Sequence, residues 1–125
     1  MKLLLDTHAL LWWLDDPLLL SLAAREAIAE PGNEVLVSAA VCWEIAIKRG
    51  LGKLTAPADL RGAVQSCGFT ELNITPAHAL ATETLPMHHR DPFDRMLVAQ
   101  ALVEGAILVS RDPCVAAYWM PTITA

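Results

Sequence analysis

Short apolar runs alternate with amphipathic segments along the whole chain. Four of these runs are typical of buried strands: Lys2–Leu5, Glu34–Val37, Thr70–Ile74 and Ala106–Val109. Between them lie segments with strong helix formers and clear stop signals, which predict helices. Strands that alternate with helices indicate a parallel sheet with helices on both faces, so we expect an α/β protein built as a three-layer α/β/α sandwich.

The predicted helices have recognisable beginnings and ends. They cover Ala9–Leu14, Ser21–Glu30, Ser38–Arg49, Pro57–Cys67, a segment that opens at Thr75-Pro76, and a segment from Asp91-Pro92 to Glu104. Gly50, Gly68 and Gly105 follow three of these helices, at the position after the helix where glycine is favoured. The tail from Tyr118 gives no clear pattern.

Length and composition predict one domain that assembles with other chains. At 125 residues, the chain is close to the commonest domain size, and we treat residues 1–125 as a single domain. Its 54% apolar content is high for so small an interior, so some apolar surface is expected to meet another protein. The net charge of −5 argues only mildly against nucleic-acid binding, because bound cations would reverse the local field.

Cysteine spacing and the distribution of charges predict a cytoplasmic protein. The three cysteines are odd in number and form neither a CxxC nor a zinc pattern, which favours reduced thiols. The apolar start is interrupted early by Asp6, His8, Asp15 and Asp16, which argues against a signal peptide. No apolar stretch reaches 18 residues, so we expect no membrane partner.

Four acidic residues lie where an apolar run ends or in the first turns of a predicted helix. They are Asp6, Glu44, Asp94 and Asp112. Parallel strands joined by right-handed crossovers bring their carboxyl ends to one edge of a sheet, where open α/β folds bind ligands. We therefore expect the four carboxylates to lie close together at that edge.

Ordinary structural roles also account for each acid taken alone. Capping of a helix that begins near Thr7 explains Asp6, and a turn before Pro113 explains Asp112. Even as a helix cap, Asp6 would still follow the first predicted strand. The interpretation as a site rests on all four acids occurring together at the same predicted edge.

The other two acids have equally simple alternatives. Glu44 is spaced for an exposed ion pair with Lys48, worth only a few tenths of a kcal/mol. If Asp91 caps the next helix with Pro92 at its first position, Asp94 falls in the first turn and complements the helix dipole. Of these two aspartates, we assign Asp94 to the site and Asp91 to the cap.

Clustered carboxylates indicate a metal-dependent phosphodiesterase. Like charges repel and require a cation, and hard oxygen ligands suit Mg²⁺ or Mn²⁺. Such an ion lowers the pKa of a bound water and stabilises charge on phosphate, so no side-chain nucleophile is required. The chain contains no GxSxG, P-loop, GxGxxG or HExxH motif that would indicate another chemistry.

Basic residues near the acids are candidates for contacts with a nucleic-acid backbone. They are Lys48, Arg49, Arg90, Arg95 and Arg111. Ion pairs with the adjacent aspartates are an equally good explanation for Arg90 and Arg95. The four histidines have no zinc spacing, and His88 and His89 are expected to be solvated rather than catalytic. The four tryptophans are expected in the core or at an interface rather than stacked on bases.

Several motifs together resemble one known family. LLLDTHALLWWL, SAAVCWEIAIKRGLGKL, HRDPFDRMLVAQA and LVSRD follow one another in the order seen in the PIN-domain family. Over nearly the whole chain the sequence is similar to the VapC-type toxins of toxin–antitoxin pairs. The resemblance aligns Asp6, Glu44 and Asp94 with the family's acids. Asp112 aligns with the acid of a T-x-D segment in which Ser110 replaces the threonine.

This resemblance carries expectations for fold, activity and partners. It implies a PIN-like α/β/α sandwich and a Mg²⁺- or Mn²⁺-dependent endoribonuclease, with Asp6, Glu44, Asp94 and Asp112 as catalytic metal ligands. It also implies a homodimer and a cognate antitoxin whose C-terminal segment covers the acidic groove. All four acids are present in this sequence, which is the pattern of an active member.

Two other functions remain in view beside the endoribonuclease. One is a non-catalytic interaction or RNA-tethering module on a PIN-like fold, suggested by the high apolar content and modest number of basic residues. The other is a structure-specific DNA nuclease, although the chain lacks long insertions that could clamp a DNA flap. Metal-dependent cleavage of matched RNA and DNA substrates separates the three.

Overall fold

Five parallel strands form the centre of the fold in the computed structural model. The structure describes residues 1–86, 91–113, 118 and 121–125. The strands are β1 Lys2–Leu5, β2 Glu34–Ser38, β3 Thr70–Leu72, β4 Ile107–Val109 and β5 Thr122–Ile123. Their order across the sheet is β3-β2-β1-β4-β5, and every pairing is parallel. The predicted parallel sheet flanked by helices is therefore confirmed.

β1 lies at the middle of the sheet and in the middle of the core. Leu3, Leu4 and Leu5 are fully buried, because helices cover both faces of a parallel sheet. From β1 the chain builds outward through β2 to β3, then crosses back to place β4 on the other side of β1. The strand order thus reverses between β1 and β4, and the carboxyl ends of these two strands flank the crevice where such folds bind ligands.

Within the described residues there are six α-helices, and each begins at a side-chain cap. They are α1 Thr7–Asp15, α2 Leu22–Ala29, α3 Ala39–Gly50, α4 Leu60–Ser66, α5 Pro76–Ala81 and α6 Pro92–Glu104. The capping residues are Asp6, Ser21, Ser38, Asp59, Thr75 and Asp91. Each accepts a hydrogen bond from a backbone N–H of the first turn, which satisfies one of the donors that a helix start leaves unpaired.

Several boundaries differ from the sequence prediction for local reasons. α4 begins at Leu60 rather than Pro57, because Asp59 supplies the cap by accepting from the Gly62 N–H at 3.1 Å. The third strand ends at Leu72, two residues before its predicted end, since its register with β2 stops there. β5 was not predicted, because a pairing of two residues leaves no periodic pattern in the sequence.

The prediction that Gly50 follows α3 was wrong. Gly50 is the last residue of the helix, and Gly52 takes the left-handed conformation, with φ of 71°. Gly105, by contrast, ends α6 as predicted, with φ of 65°. In the described part of the chain, no helix is long and apolar enough to cross a membrane.

Candidate active site

A pocket of about 280 Å³ opens beside the carboxyl ends of β1 and β4. Five carboxylates line it: Asp6, Glu44, Asp91, Asp94 and Asp112. The remaining lining residues are Thr7, His8, Trp12, Lys48 and Arg111. The fold therefore brings the four acids singled out in the sequence to one place, although they are spread over more than a hundred positions of the chain.

Asp6 reaches the pocket because it is both the end of a strand and the start of a helix. Its backbone N–H continues the sheet by donating to the Val109 carbonyl at 3.1 Å. Its side chain caps α1 by accepting from the Ala9 N–H at 2.8 Å. The capping role considered for Asp6 is thus confirmed, and the same geometry directs one face of the carboxylate into the pocket.

Burial raises the pKa of Asp6 above its ordinary value of 3.8. Hydrogen bonds from the Ala9 N–H and the Ser110 hydroxyl, together with the nearby His8, oppose this shift, while the charge of Glu44 adds to it. Only 9% of Asp6 is exposed. A buried carboxylate with an acidic neighbour is stabilised by a cation, so the pocket favours a positive ligand at this position.

Glu44 projects from α3 into the same pocket and is almost fully buried. Its Oε1 accepts a hydrogen bond from the Thr7 hydroxyl, and its Oε2 lies 2.8 Å from the Lys48 Nζ. The ion pair with Lys48 considered from the sequence is therefore present, but the carboxylate is not exposed: 7% of Glu44 is accessible. The hydrogen bond that Lys48 donates to Glu44 raises the pKa of Lys48, so the ammonium stays charged beside the pocket.

Asp91 and Asp94 both line the pocket at the start of α6. Asp91 caps the helix, as predicted, by accepting from the N–H groups of Phe93 at 2.8 Å and Asp94 at 3.4 Å. Asp94 lies in the first turn. Sequence reasoning gave Asp91 a capping role only, and the structure adds it to the pocket wall. The close spacing of the two aspartates is the signal that could have assigned both to the pocket.

Asp112 is positioned by Ser110, a residue whose role the sequence did not reveal. The Ser110 hydroxyl accepts from the Asp112 N–H at 3.1 Å, and the same hydroxyl lowers the pKa of Asp6. Ser110 therefore influences both the acid that follows β1 and the acid that follows β4. A threonine keeps that hydroxyl, which explains why serine can replace the family's threonine here.

Two of the predicted basic residues line the pocket. The Lys48 ammonium donates a hydrogen bond to Glu44. The Arg111 guanidinium donates to two backbone carbonyls, Leu19 O at 2.6 Å and Ala125 O at 2.8 Å. The Arg111 guanidinium also lies over the Trp12 ring, 4.3 Å from its centroid. Both cations therefore have fixed positions beside the carboxylates.

Arg95 does not line the pocket, and its assignment to contacts with a nucleic-acid backbone stays a prediction. Its guanidinium donates to Pro86 O at 3.0 Å and Thr82 O at 2.9 Å, which ties α6 to the segment before it. Arg49 likewise donates to Pro57 O at 2.6 Å. Arg90 lies outside the described residues.

The histidines and tryptophans occupy several environments. His8 lines the pocket, whereas His78 is fully buried and bonds to Glu104 at 2.9 Å. Trp43 is 60% exposed and packs edge-on against Phe93 with ring centroids 5.0 Å apart. His88, His89 and Trp119 lie outside the described residues.

The donor chemistry of the pocket fits a hard divalent cation. Carboxylate oxygens are the preferred ligands of Mg²⁺ and Mn²⁺, and the pocket contains neither a thiolate nor a second imidazole among the described residues. In that part of the chain, the acids share a pocket, but no three acidic, imidazole or thiol groups lie in an arrangement that could already hold a metal ion. Glu44 is engaged with Thr7 and Lys48 in this arrangement, so it would have to exchange partners to bind a metal ion.

Comparison with known proteins identifies the class to which this fold and pocket belong. The chain belongs to the PIN-domain family, whose model matches residues 3–117. Among individual relatives, Ribonuclease VapC22 of Mycobacterium tuberculosis (strain ATCC 25618 / H37Rv) is 34% identical over 117 residues, covering 87% of this chain and 85% of the relative. The resemblance to VapC-type proteins drawn from the motifs is therefore confirmed.

Solved structures agree with this assignment at the level of the fold. The chain matches VapBC2 from Rickettsia felis, bound to a DNA fragment from its promoter, with a TM-score of 0.73, 13% identity and 98% of each chain covered. It matches VapBC-5 from Mycobacterium tuberculosis, a member of the VapBC family of toxin–antitoxin systems, with a TM-score of 0.60 and 17% identity. That second match covers 99% of this chain and 98% of the other.

Proposed function

We propose that this protein is a metal-dependent endoribonuclease and the toxin of a toxin–antitoxin pair. The observation that carries the proposal is the convergence of Asp6, Glu44, Asp94 and Asp112 on one pocket of a VapC-type PIN domain. The similarity to a protein named a ribonuclease supports RNA as the substrate. The likeness to VapBC complexes supports an antitoxin partner.

The pocket residues divide between holding a cation and holding a phosphate. Asp6, Glu44, Asp94 and Asp112 would hold Mg²⁺ or Mn²⁺, and Asp91 lies beside them. When bound, the ion would activate a water molecule and offset the negative charge that develops on the phosphate.

The chain's own cations complete the substrate site. Lys48, paired with Glu44, and Arg111, bonded to the Leu19 carbonyl, would attract and orient the phosphodiester beside the carboxylates. Cys42 and Cys67 are free thiols, which agrees with action in the cytoplasm. A homodimer is the proposed assembly.

Digestion of total cellular RNA by the purified chain tests the activity. Wild type should give discrete fragments with Mg²⁺ or Mn²⁺ and none with EDTA, and Asp94→Asn should reduce cleavage by at least about a hundredfold, as expected when a group that stabilises the transition state is removed. Asp59→Asn is the matched control. It makes the same change at a carboxylate that caps α4 outside the pocket, where asparagine caps equally well.

The same assay separates the competing functions. Cleavage of DNA but not of matched RNA would favour a DNA nuclease. A folded, partner-free protein that cuts neither substrate with either metal would favour the interaction module. Co-purification with the product of an adjacent short reading frame, together with loss of cleavage in that complex, is the expected result for the toxin role.

A further inference from the structure

A second, larger pocket lies directly beside the acidic one. It has a volume of about 490 Å³, within the range of small-molecule sites. Its walls are mainly apolar and come from α1 and from the segment that follows α3. The apolar lining residues are Leu11, Trp12, Leu14, Leu54, Ala56 and Pro57.

The two pockets share part of their walls. His8 and Trp12 line both of them, and their rings lie 5.6 Å apart at a tilt of 44°. Arg111 lines only the acidic pocket, so its contact with the Trp12 ring belongs to that side. A polymer whose phosphate occupies the acidic pocket therefore has its neighbouring unit at the entrance of the apolar one.

The walls match the chemistry of a nucleobase. Proteins that read single-stranded RNA stack its bases on aromatic rings such as Trp and His, and hydrogen-bond to their edges. Here the aromatic rings are Trp12 and His8, and the polar edge is formed by Asp15 and Thr55. Leu54 and Ala56 pack against the core, so this wall has a firm backing.

Asp15 is the charged group of the pocket wall that could distinguish one base from another. It is the last residue of α1 and its carboxylate is exposed, so it can accept hydrogen bonds without first being freed from the core. A carboxylate has two acceptor oxygens side by side and no donor. Guanine presents two neighbouring N–H donors on its pairing edge, whereas adenine and cytosine each present one amino group there.

We propose that this pocket binds the nucleobase next to the scissile phosphate and prefers guanine through Asp15. The proposal rests on the proposed ribonuclease activity and adds a source of sequence preference to it. Trp12 and His8 connect the two pockets, so base recognition and phosphate positioning act on adjacent groups of one strand.

The experiment compares single-stranded RNAs that differ only in the base on either side of the cleaved bond. With wild-type protein and Mn²⁺, guanosine on one side should give a kcat/KM about tenfold or more above that of the other three bases, and inosine, which lacks the exocyclic amino group, should lose most of this advantage. Asp15→Asn should abolish the guanosine advantage. Glu26→Gln, which removes one exposed negative charge outside the pocket, should retain it.

A second variant tests the pocket itself. Thr55 is exposed and lines the pocket, so Thr55→Phe should fill it and raise KM for every RNA. Thr70→Phe is the control, because it makes the same change at an exposed position of β3 outside the pocket and should leave KM unchanged.

Each alternative result has a distinct meaning. If wild type cleaves RNA but Asp15→Asn keeps the same base preference, or if no base is preferred, the inference is overturned while the ribonuclease stands. If Thr55→Phe cleaves RNA normally but loses binding to an antitoxin, the pocket belongs to the protein partner and the inference is again overturned. If wild type cleaves no RNA, the proposed function itself has failed.

Discussion

Asp6 has two roles that conflict when no cation is present. As the cap of α1 and the end of β1 it must be buried, yet as a carboxylate in an acidic pocket it resists burial, which is why its pKa is raised. Replacement by asparagine keeps a good helix cap and removes the charge. The same residue that the proposed activity needs therefore costs stability in the metal-free protein.

Asp6→Asn is expected to raise the melting temperature of the metal-free protein at neutral pH. The pKa of Asp6 is higher in the folded protein than its ordinary value of 3.8, which applies to the unfolded chain. Between the unfolded-state pKa and the folded-state pKa, the native state binds more protons than the unfolded state. The stability of wild type therefore falls as pH rises through that window. Asp6→Asn cannot ionise at this position, so its stability should not fall in the same way as pH rises. Below the ordinary Asp6 pKa of 3.8, the two proteins should be similarly stable. Thermal unfolding in EDTA across this pH range measures the difference.

Added metal should reverse the order of stability. Mn²⁺ is expected to raise the melting temperature of wild type and to have little effect on Asp6→Asn, because only a ligand that binds the native state stabilises it. Asp59→Asn should respond to Mn²⁺ as wild type does. Equal metal responses of wild type and Asp6→Asn would count against Asp6 as a ligand.

Sequence predicts the position of a residue best when that residue directly follows a strand. Asp6 and Asp112 follow β1 and β4, and any parallel arrangement brings such positions to one edge. Arg95 could not be assigned in this way. Its acceptors include the carbonyls of Thr82, Leu85 and Pro86, whose position depends on how the segment after α5 packs against α6 rather than on local pattern.

At the level of the elements, the end of α3 shows where a sequence pattern is ambiguous. Gly50 and Gly52 are both candidates for the left-handed residue that ends a helix. The Lys53 N–H donates back to Lys48 O at 2.9 Å and the Gly52 N–H donates to Arg49 O at 3.1 Å, so the chain reverses at Gly52. The left-handed residue is therefore the second glycine, which composition alone does not indicate.

The two glycines should respond in opposite directions to the same substitution. Gly50→Ala is expected to raise the free energy of unfolding by about 0.5–1 kcal/mol, because alanine is the better helix former and nothing lies within 4 Å of the added methyl. Gly52→Ala should lower it by about 1–2 kcal/mol, because φ there is 71°. Urea denaturation of both variants makes the comparison. Similar effects at the two positions would contradict the observed helix end.

A buried polar chain connects the elements behind the site. Gln100, in the apolar middle of α6, accepts from the Ser38 hydroxyl at 2.5 Å and lies 3.3 Å from the His78 Nδ1. The His78 ring in turn bonds to Glu104. Sequence could not anticipate this, because Ser38 and Gln100 are 62 residues apart. These buried hydrogen bonds fix α6, and with it Asp94, relative to the start of α3.

Gln100→Met should lower the free energy of unfolding by about 1–3 kcal/mol, since it leaves buried polar partners without their hydrogen bonds. Combination with Ser38→Ala should cost less than the sum of the two single changes, with a coupling of roughly 1 kcal/mol. Ser21→Ala is the control, because it removes a cap of the same kind from α2, which Gln100 does not contact through a hydrogen bond. Its effect should simply add to that of Gln100→Met.

At the scale of the whole molecule, part of the apolar excess of the sequence lies exposed along α3. Trp43, Ile47 and Leu51 follow one another at four-residue spacing along α3 and its end, and are exposed by 60%, 40% and 63%. Phe93 packs against Trp43 and extends this stripe toward α6. Composition predicted that apolar surface would meet another chain, and the fold shows that the α3 stripe is one place where such surface is exposed.

We expect this α3 stripe to be the surface through which two copies of the chain associate. Ile47→Glu combined with Leu51→Glu should weaken association by about thirtyfold or more, as when central interface residues are lost. Leu80→Glu, at a side chain that is 69% exposed on α5, should leave association unchanged. Sedimentation equilibrium at several protein concentrations measures all three proteins against the 13.6 kDa monomer. A wild-type protein that stays monomeric, or a dimer insensitive to both changes on α3, would show that this stripe serves a different partner.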